Sequence, residues 1–161
     1  MTTTADPSPS PPTERELVLT RETSVSAEKL FAGWTTPELL MQWFTPPPWM
    51  TTACRIDLRP GGEFQTTMRG PDGQEFPNTG VFLEVVPDRK LVFTDAYAPG
   101  WIPNPDPFFT AIITFETLPD GGTRYTAKAL HWTPEACQKH AAMGFMEGWG
   151  KAFDQLVGLS R

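Results

Sequence analysis

The sequence predicts an α+β domain in which a curved antiparallel sheet of about seven strands wraps a long C-terminal helix. Three observations carry this. Between residues 51 and 131 apolar residues recur with period two, and Pro-Asp-Gly and Pro-Gly-Gly turns punctuate the pattern. Between residues 26 and 44 the spacing is helical, with a proline run directly after it. Beyond Pro134 there is no proline, and apolar residues recur at three- and four-residue steps to the end.

The elements follow in order. Residues 1–13 carry Pro7, Pro9, Pro11 and Pro12 among Ser and Thr, too little apolar surface to offset ordering entropy, and are expected to be a disordered tail. Residues 14–161 are expected to form a single domain. In RELVLTRET, Leu17 and Leu19 share one strand face, with Val18 on the other. Ser26 reads as a helix N-cap, followed by Leu30, Phe31 and Trp34 at helical spacing. Thr36-Pro37 starts a second short helix that Pro46-Pro47-Pro48 stops. Three strand–turn–strand units follow: TACRIDLRPGGEFQTTMRG, NTGVFLEVVPDRKLVFTDAY and FFTAIITFETLPDGGTRYTAKALHW. Tight turns force antiparallel pairing within each. Thr133-Pro134 then caps the predicted long helix. Gly144 and Gly148 lie on its apolar stripe, where each costs roughly 1 kcal/mol relative to Ala. They predict close approach of the backbone to something flat, or room left for a ligand.

Composition narrows the function classes. The 161 residues fit one domain. Thirteen Lys and Arg against 19 Asp and Glu give a net charge of −6, which argues against a nucleic-acid binder and against a polybasic membrane-surface protein. The N-terminus has no basic and apolar signal pattern, and no stretch approaches the ~18 apolar residues of a membrane span, so a cytoplasmic protein is expected. Cys54 and Cys137 form no metal-binding spacing and read as small buried hydrophobes. Eighteen Pro stand beside 11 Phe and 6 Trp. Most prolines fall in the tail, in turns and at helix starts, and the aromatics demand either a bulky core or a cavity wall.

This layout resembles the helix-grip, START-like (SRPBCC) superfamily. Within it, the stretches SVSAEKLFAGWTTPELLMQWF, LRPGGEF, GVFLEVVPDRKLVFT, GGTRYTAKAL and HAAMGFMEGWGKAFDQLVGL resemble homologues of the C-terminal domain of the activator of heat-shock protein 90 ATPase, over about residues 15–160. The AYAPGWIPNPDPF insert and the Pro46-Pro47-Pro48-Trp49 segment depart from that pattern. The resemblance implies the fold and, more loosely, lipid carriage, polyketide cyclisation, hormone binding or chaperone activation, with a chaperone contact among the implied partners.

A grip of this kind leaves a cavity between sheet and helix. The expected ligand-binding residues are Trp43, Phe64, Phe82, Phe93, Tyr97, Trp101, Phe109, Trp132, Phe145 and Trp149, joined by Phe44, Met68 and Ile113, with Trp49 and Trp101 at the rim. Their bulk fits a small hydrophobic or aromatic molecule. His131 continues the inward alternation Tyr125, Ala127, Ala129 and is the candidate acid or base, with Glu63 or Asp95 as its partner; His140 is expected to be solvated. No nucleophile elbow, metalloprotease, P-loop or dinucleotide motif is present in the sequence, so no cofactor and no metal is expected. Met143 and Met146 mark a candidate homodimer surface.

Overall fold

The computed structural model describes residues 14–161; the expected tail, residues 1–13, lies outside them. Strand β1 (Glu16–Thr23) is followed by helices α1 (Ala27–Thr35) and α2 (Pro37–Trp43). Then come β2 (Met50–Ile56), β3 (Glu63–Arg69), β4 (Glu75–Val86) and β5 (Lys90–Thr94). A two-stranded ribbon, β6 (Tyr97–Ala98) and β7 (Ile102–Pro103), precedes β8 (Phe109–Thr117) and β9 (Thr123–His131). Helices α3 (Pro134–Ala142) and α4 (Phe145–Ser160) complete the chain.

The main sheet has seven strands in the order β1-β9-β8-β5-β4-β3-β2. Each neighbouring pair is antiparallel. The three predicted hairpins are β2–β3, β4–β5 and β8–β9. The first strand pairs with the last, so α1 and α2 carry the chain from one edge of the sheet to the other. Ser26 accepts the Lys29 amide and Thr133 the Ala136 amide, which are the caps their sequence positions announce. Thr36 sits at the start of α2 without a side-chain cap bond, and Pro37 fills the first helical position.

The predicted long C-terminal helix is two helices. Met143 ends α3, and Gly144 at φ 94° opens α4. That backbone conformation belongs to glycine, so the residue that looked like a helical cost is the break itself. Helix α4 packs against α1, α2 and β1, inside the curve of the sheet. Leu19, Leu30, Leu91, Ile113 and Leu156 are wholly excluded from solvent in the core between them.

Candidate functional site

The inward face of β9 is set by its alternation: Tyr125, Ala127, Ala129 and His131 are buried, and their neighbours are partly exposed. Small alanines between two large polar rings leave the sheet floor shallow there. Facing it, the first turns of α4 bring Phe145, Gly148, Trp149 and Ala152 inward. A Cβ built on Gly148 would meet nothing within 4 Å. Between sheet and helix lies a cavity of about 250 Å³.

Its far wall comes from the α2 end: Trp43, Phe44, Thr45 and Pro46, with Trp34 of α1 behind them. Gln155 of α4 pins this wall by donating to the carbonyls of Trp43 and Thr45, both at 3.0 Å. The Trp43 indole N–H donates to the Gly33 carbonyl at 2.9 Å, which fixes the ring. Phe93 and Phe109 complete the wall and, with Phe44, also line a second cavity of about 150 Å³ under β3, β4 and β5. Asp95 positions one side of that partition: its carboxylate accepts the Phe108 amide at 2.9 Å and the Phe109 amide at 3.2 Å. Burial raises the Asp95 pKa, and those backbone hydrogen bonds oppose the rise.

Of the predicted ligand residues, Trp43, Phe93, Phe109, Phe145 and Trp149 line the larger cavity, as do Phe44 and Met68. Phe64 lines the smaller one and stacks on Phe82, which lies in the packed core with Ile113. Four predicted residues are elsewhere. Tyr97 and Trp101 meet edge to face on the β6–β7 ribbon, where Trp101 lies over Gly61 and is 53% exposed. Trp132 is 51% exposed beyond the end of β9. Trp49 covers Gly70 and tilts against Phe76 on the sheet, away from the cavity wall. An alternation pattern cannot tell that a loop aromatic folds back on the sheet's outer surface.

The two histidines are placed differently from the expectation. His131 is buried, but it does not line the cavity, and Glu63 is engaged with Arg55 at 3.3 Å, not with His131. His140, expected in solvent, is 6% exposed and lines the cavity. The two rings are joined, His131 Nε2 to His140 Nδ1 at 2.9 Å, and His131 Nδ1 lies 3.0 Å from the Arg15 carbonyl. A carbonyl only accepts, so His131 Nδ1 carries a proton. With both rings neutral, His131 Nε2 is then an acceptor, His140 Nδ1 donates to it, and His140 Nε2 keeps its lone pair. Burial, followed by the neighbouring His131, pushes the His140 pKa down to about 4, so that ring is neutral at pH 7. The sequence signal missed was the helix break: with α3 separate from α4, position 140 turns inward.

Tyr125 is the other polar group of the wall, 3% exposed. Its hydroxyl accepts from the Trp34 indole N–H at 3.1 Å. Burial raises its pKa further above the ordinary phenol value, so it remains a protonated donor. Burial and then Glu38 push the Cys54 thiol up to about 11, so it is no thiolate nucleophile. Among the described residues no three His, Cys, Asp or Glu are grouped to hold a metal ion, and no helix is long and apolar enough to cross a membrane.

A seven-stranded sheet closed on one helix, over a ring-lined cavity, defines a START-like domain of the helix-grip type. The chain belongs to the family described as activator of Hsp90 ATPase homolog 1-like protein, whose model matches residues 24–160. Among solved structures it is similar to a protein from Nitrosomonas europaea at 46% identity and a TM-score of 0.87, over 91% of this chain and 94% of that one. A Mycobacterium smegmatis protein matches at 30% identity and TM-score 0.76, over 92% of each chain. A homolog 1-like protein of the same description from Aeromonas hydrophila, at 22% identity and TM-score 0.64 over 89% of this chain and 91% of that one, shares the fold. No curated protein matches.

Proposed function

We propose that this domain binds a small hydrophobic or aromatic molecule in the cavity between the sheet and α4, and does so in the cytoplasm. The observation that carries the reading is the cavity itself: about 250 Å³ walled by aromatic rings, where Gly148 leaves open space. An apolar cavity of about 150 Å³ already takes up benzene, so this one accommodates one or two fused rings. Among the described residues the wall contains no Lys, Arg, Asp or Glu, which favours an uncharged ligand. Native mass spectrometry of protein purified from its own host tests this. A co-purifying molecule of a few aromatic rings' mass is expected. A bare protein that also takes up no naphthalene on titration would overturn the reading.

A second reading, a cyclase- or hydrolase-like enzyme, has one observation in its favour: a histidine, His140, reaches the cavity wall. Its depressed pKa makes it a weak base at pH 7, so it serves a ligand better as a hydrogen-bond acceptor than as a proton abstractor. The family description suggests a third, contact with Hsp90. Retention on an immobilised Hsp90 homologue, with stimulated ATPase activity, would support that role.

A further inference from the structure

Two polar atoms in the cavity wall have no partner for one of their hydrogen-bonding functions. The Tyr125 hydroxyl receives the Trp34 N–H, and its own proton has no acceptor among the described residues. With both rings neutral, the His140 Nε2 lone pair has no donor among them: the Arg15 carbonyl takes the His131 Nδ1 proton, so His131 Nε2 accepts from His140 Nδ1. Both side chains are buried, where unmet hydrogen-bonding groups are costly and need a reason. Neither is stranded in packed hydrocarbon: both line the same cavity.

Their placement is also directional. Tyr125 and His131 both stand on β9, and His131 holds His140 of α3. Only Ala127 and Ala129 lie between them on the inward face. The donor therefore enters the cavity wall from β9 and the acceptor from α3, with rings such as Phe93, Phe109 and Trp149 in the same wall.

We propose that Tyr125 and His140 are a specificity pair: the Tyr125 O–H donates to a carbonyl-type oxygen of the ligand, and His140 Nε2 accepts from a hydroxyl. The ligand class is a flat, uncharged aromatic compound carrying a hydroxyl, a ketone, or both. This rests on the cavity-binding reading above and sharpens it. A site that presents an unmet donor and an unmet acceptor penalises a purely hydrocarbon ligand, because both groups then stay unpaired.

The test is calorimetric titration of the full chain with three probes of one shape: naphthalene, naphthol and methyl naphthyl ketone. In the parent protein, naphthol and the ketone bind about five- to tenfold more tightly than naphthalene, one net hydrogen bond each. Tyr125→Phe removes the ketone's advantage and leaves that of naphthol. His140→Phe does the reverse. Naphthalene affinity, unchanged in both variants, reports that the cavity is intact. Equal affinities for the three probes in the parent protein overturn the specificity pair while leaving the cavity reading standing. So does a variant that weakens all three probes alike. If no probe binds the parent protein, the cavity reading fails and this inference falls with it.

Discussion

Helix α4 lies along one sheet, yet its two halves meet it differently. Towards the C-terminal end, Leu156 and Val157 are buried in the same core cluster as Leu30 and Leu19, and Leu156 closes on the Gly33 backbone: a Cβ at Gly33 would collide with the Leu156 Cδ1. The buried polar group of that region, Thr123, is satisfied, its hydroxyl donating to the Val25 carbonyl at 2.8 Å. Towards the N-terminal end the wall is Phe145, Trp149, Phe109 and His140, Gly148 faces empty space, and two polar functions go unmet. The difference teaches a division of labour: one half of the grip holds the fold together, and the other half is kept open at some cost.

Truncation should separate the halves most sharply. Leu156→Ala removes a wholly buried side chain from the closed half, and a loss of about 2–5 kcal/mol is expected, read as a lower urea midpoint at unchanged m. Trp149→Ala, on a wall already bordering empty space, is expected to cost less than half as much despite deleting the larger group. Equal losses would mean that the cavity wall is ordinary core.

The next effect is acid sensitivity of the open half. His140 has a pKa near 6.5 when free and about 4 in the fold, so the native state binds fewer protons than the unfolded chain between those values. Its stabilising contribution is complete above pH 6.5 and is lost as pH falls through 6.5 towards 4. The full loss is about 3 kcal/mol from this one group. His131 is the titratable side chain that faces it, and Phe108, Phe109, Phe145 and Trp149 supply the rest of its surroundings. Denaturation series at stepped pH should therefore slope downward below pH 6.5 in the parent protein and flatten in His140→Phe. An unchanged slope would show that His140 is solvated.

Strand faces, turns and caps are legible in the sequence in both halves. Period-two alternation in β8 and β9, turn residues between paired strands and the caps at Ser26 and Thr133 are local signals, and the local physics decides them. The open half depends on events that periodicity does not encode. Gly144 looks the same in sequence whether it continues a helix or breaks it, and its break is what turns His140 inward. Whether Tyr97, Trp101 and Trp132 line a cavity depends on how the chain folds back outside the sheet, and an unforeseen ribbon, β6–β7, carries the first two away. Trp43, Phe93, Phe109, Phe145 and Trp149 were readable because each follows from a strand or helix face.

The smallest effect is the most discriminating, because one substitution has opposite signs in the two halves. Gly33→Ala, inside α1, gains helix propensity but forces Leu156 out of a packed site, and overpacking of this kind costs about 1–3 kcal/mol. A net loss of stability is expected. Gly148→Ala, inside α4, meets no atom within 4 Å, so it should raise stability by about 0.4–1 kcal/mol through reduced unfolded-state entropy and better helix propensity. Gly148 lines the cavity, so the added methyl is expected to take up part of that space and naphthalene affinity to fall as stability rises. That opposition is what distinguishes a glycine kept for space from a glycine merely tolerated. If Gly148→Ala stabilises the protein without weakening the probe, the gap beside α4 is a packing defect; if it destabilises, the open half is as tightly built as the closed one.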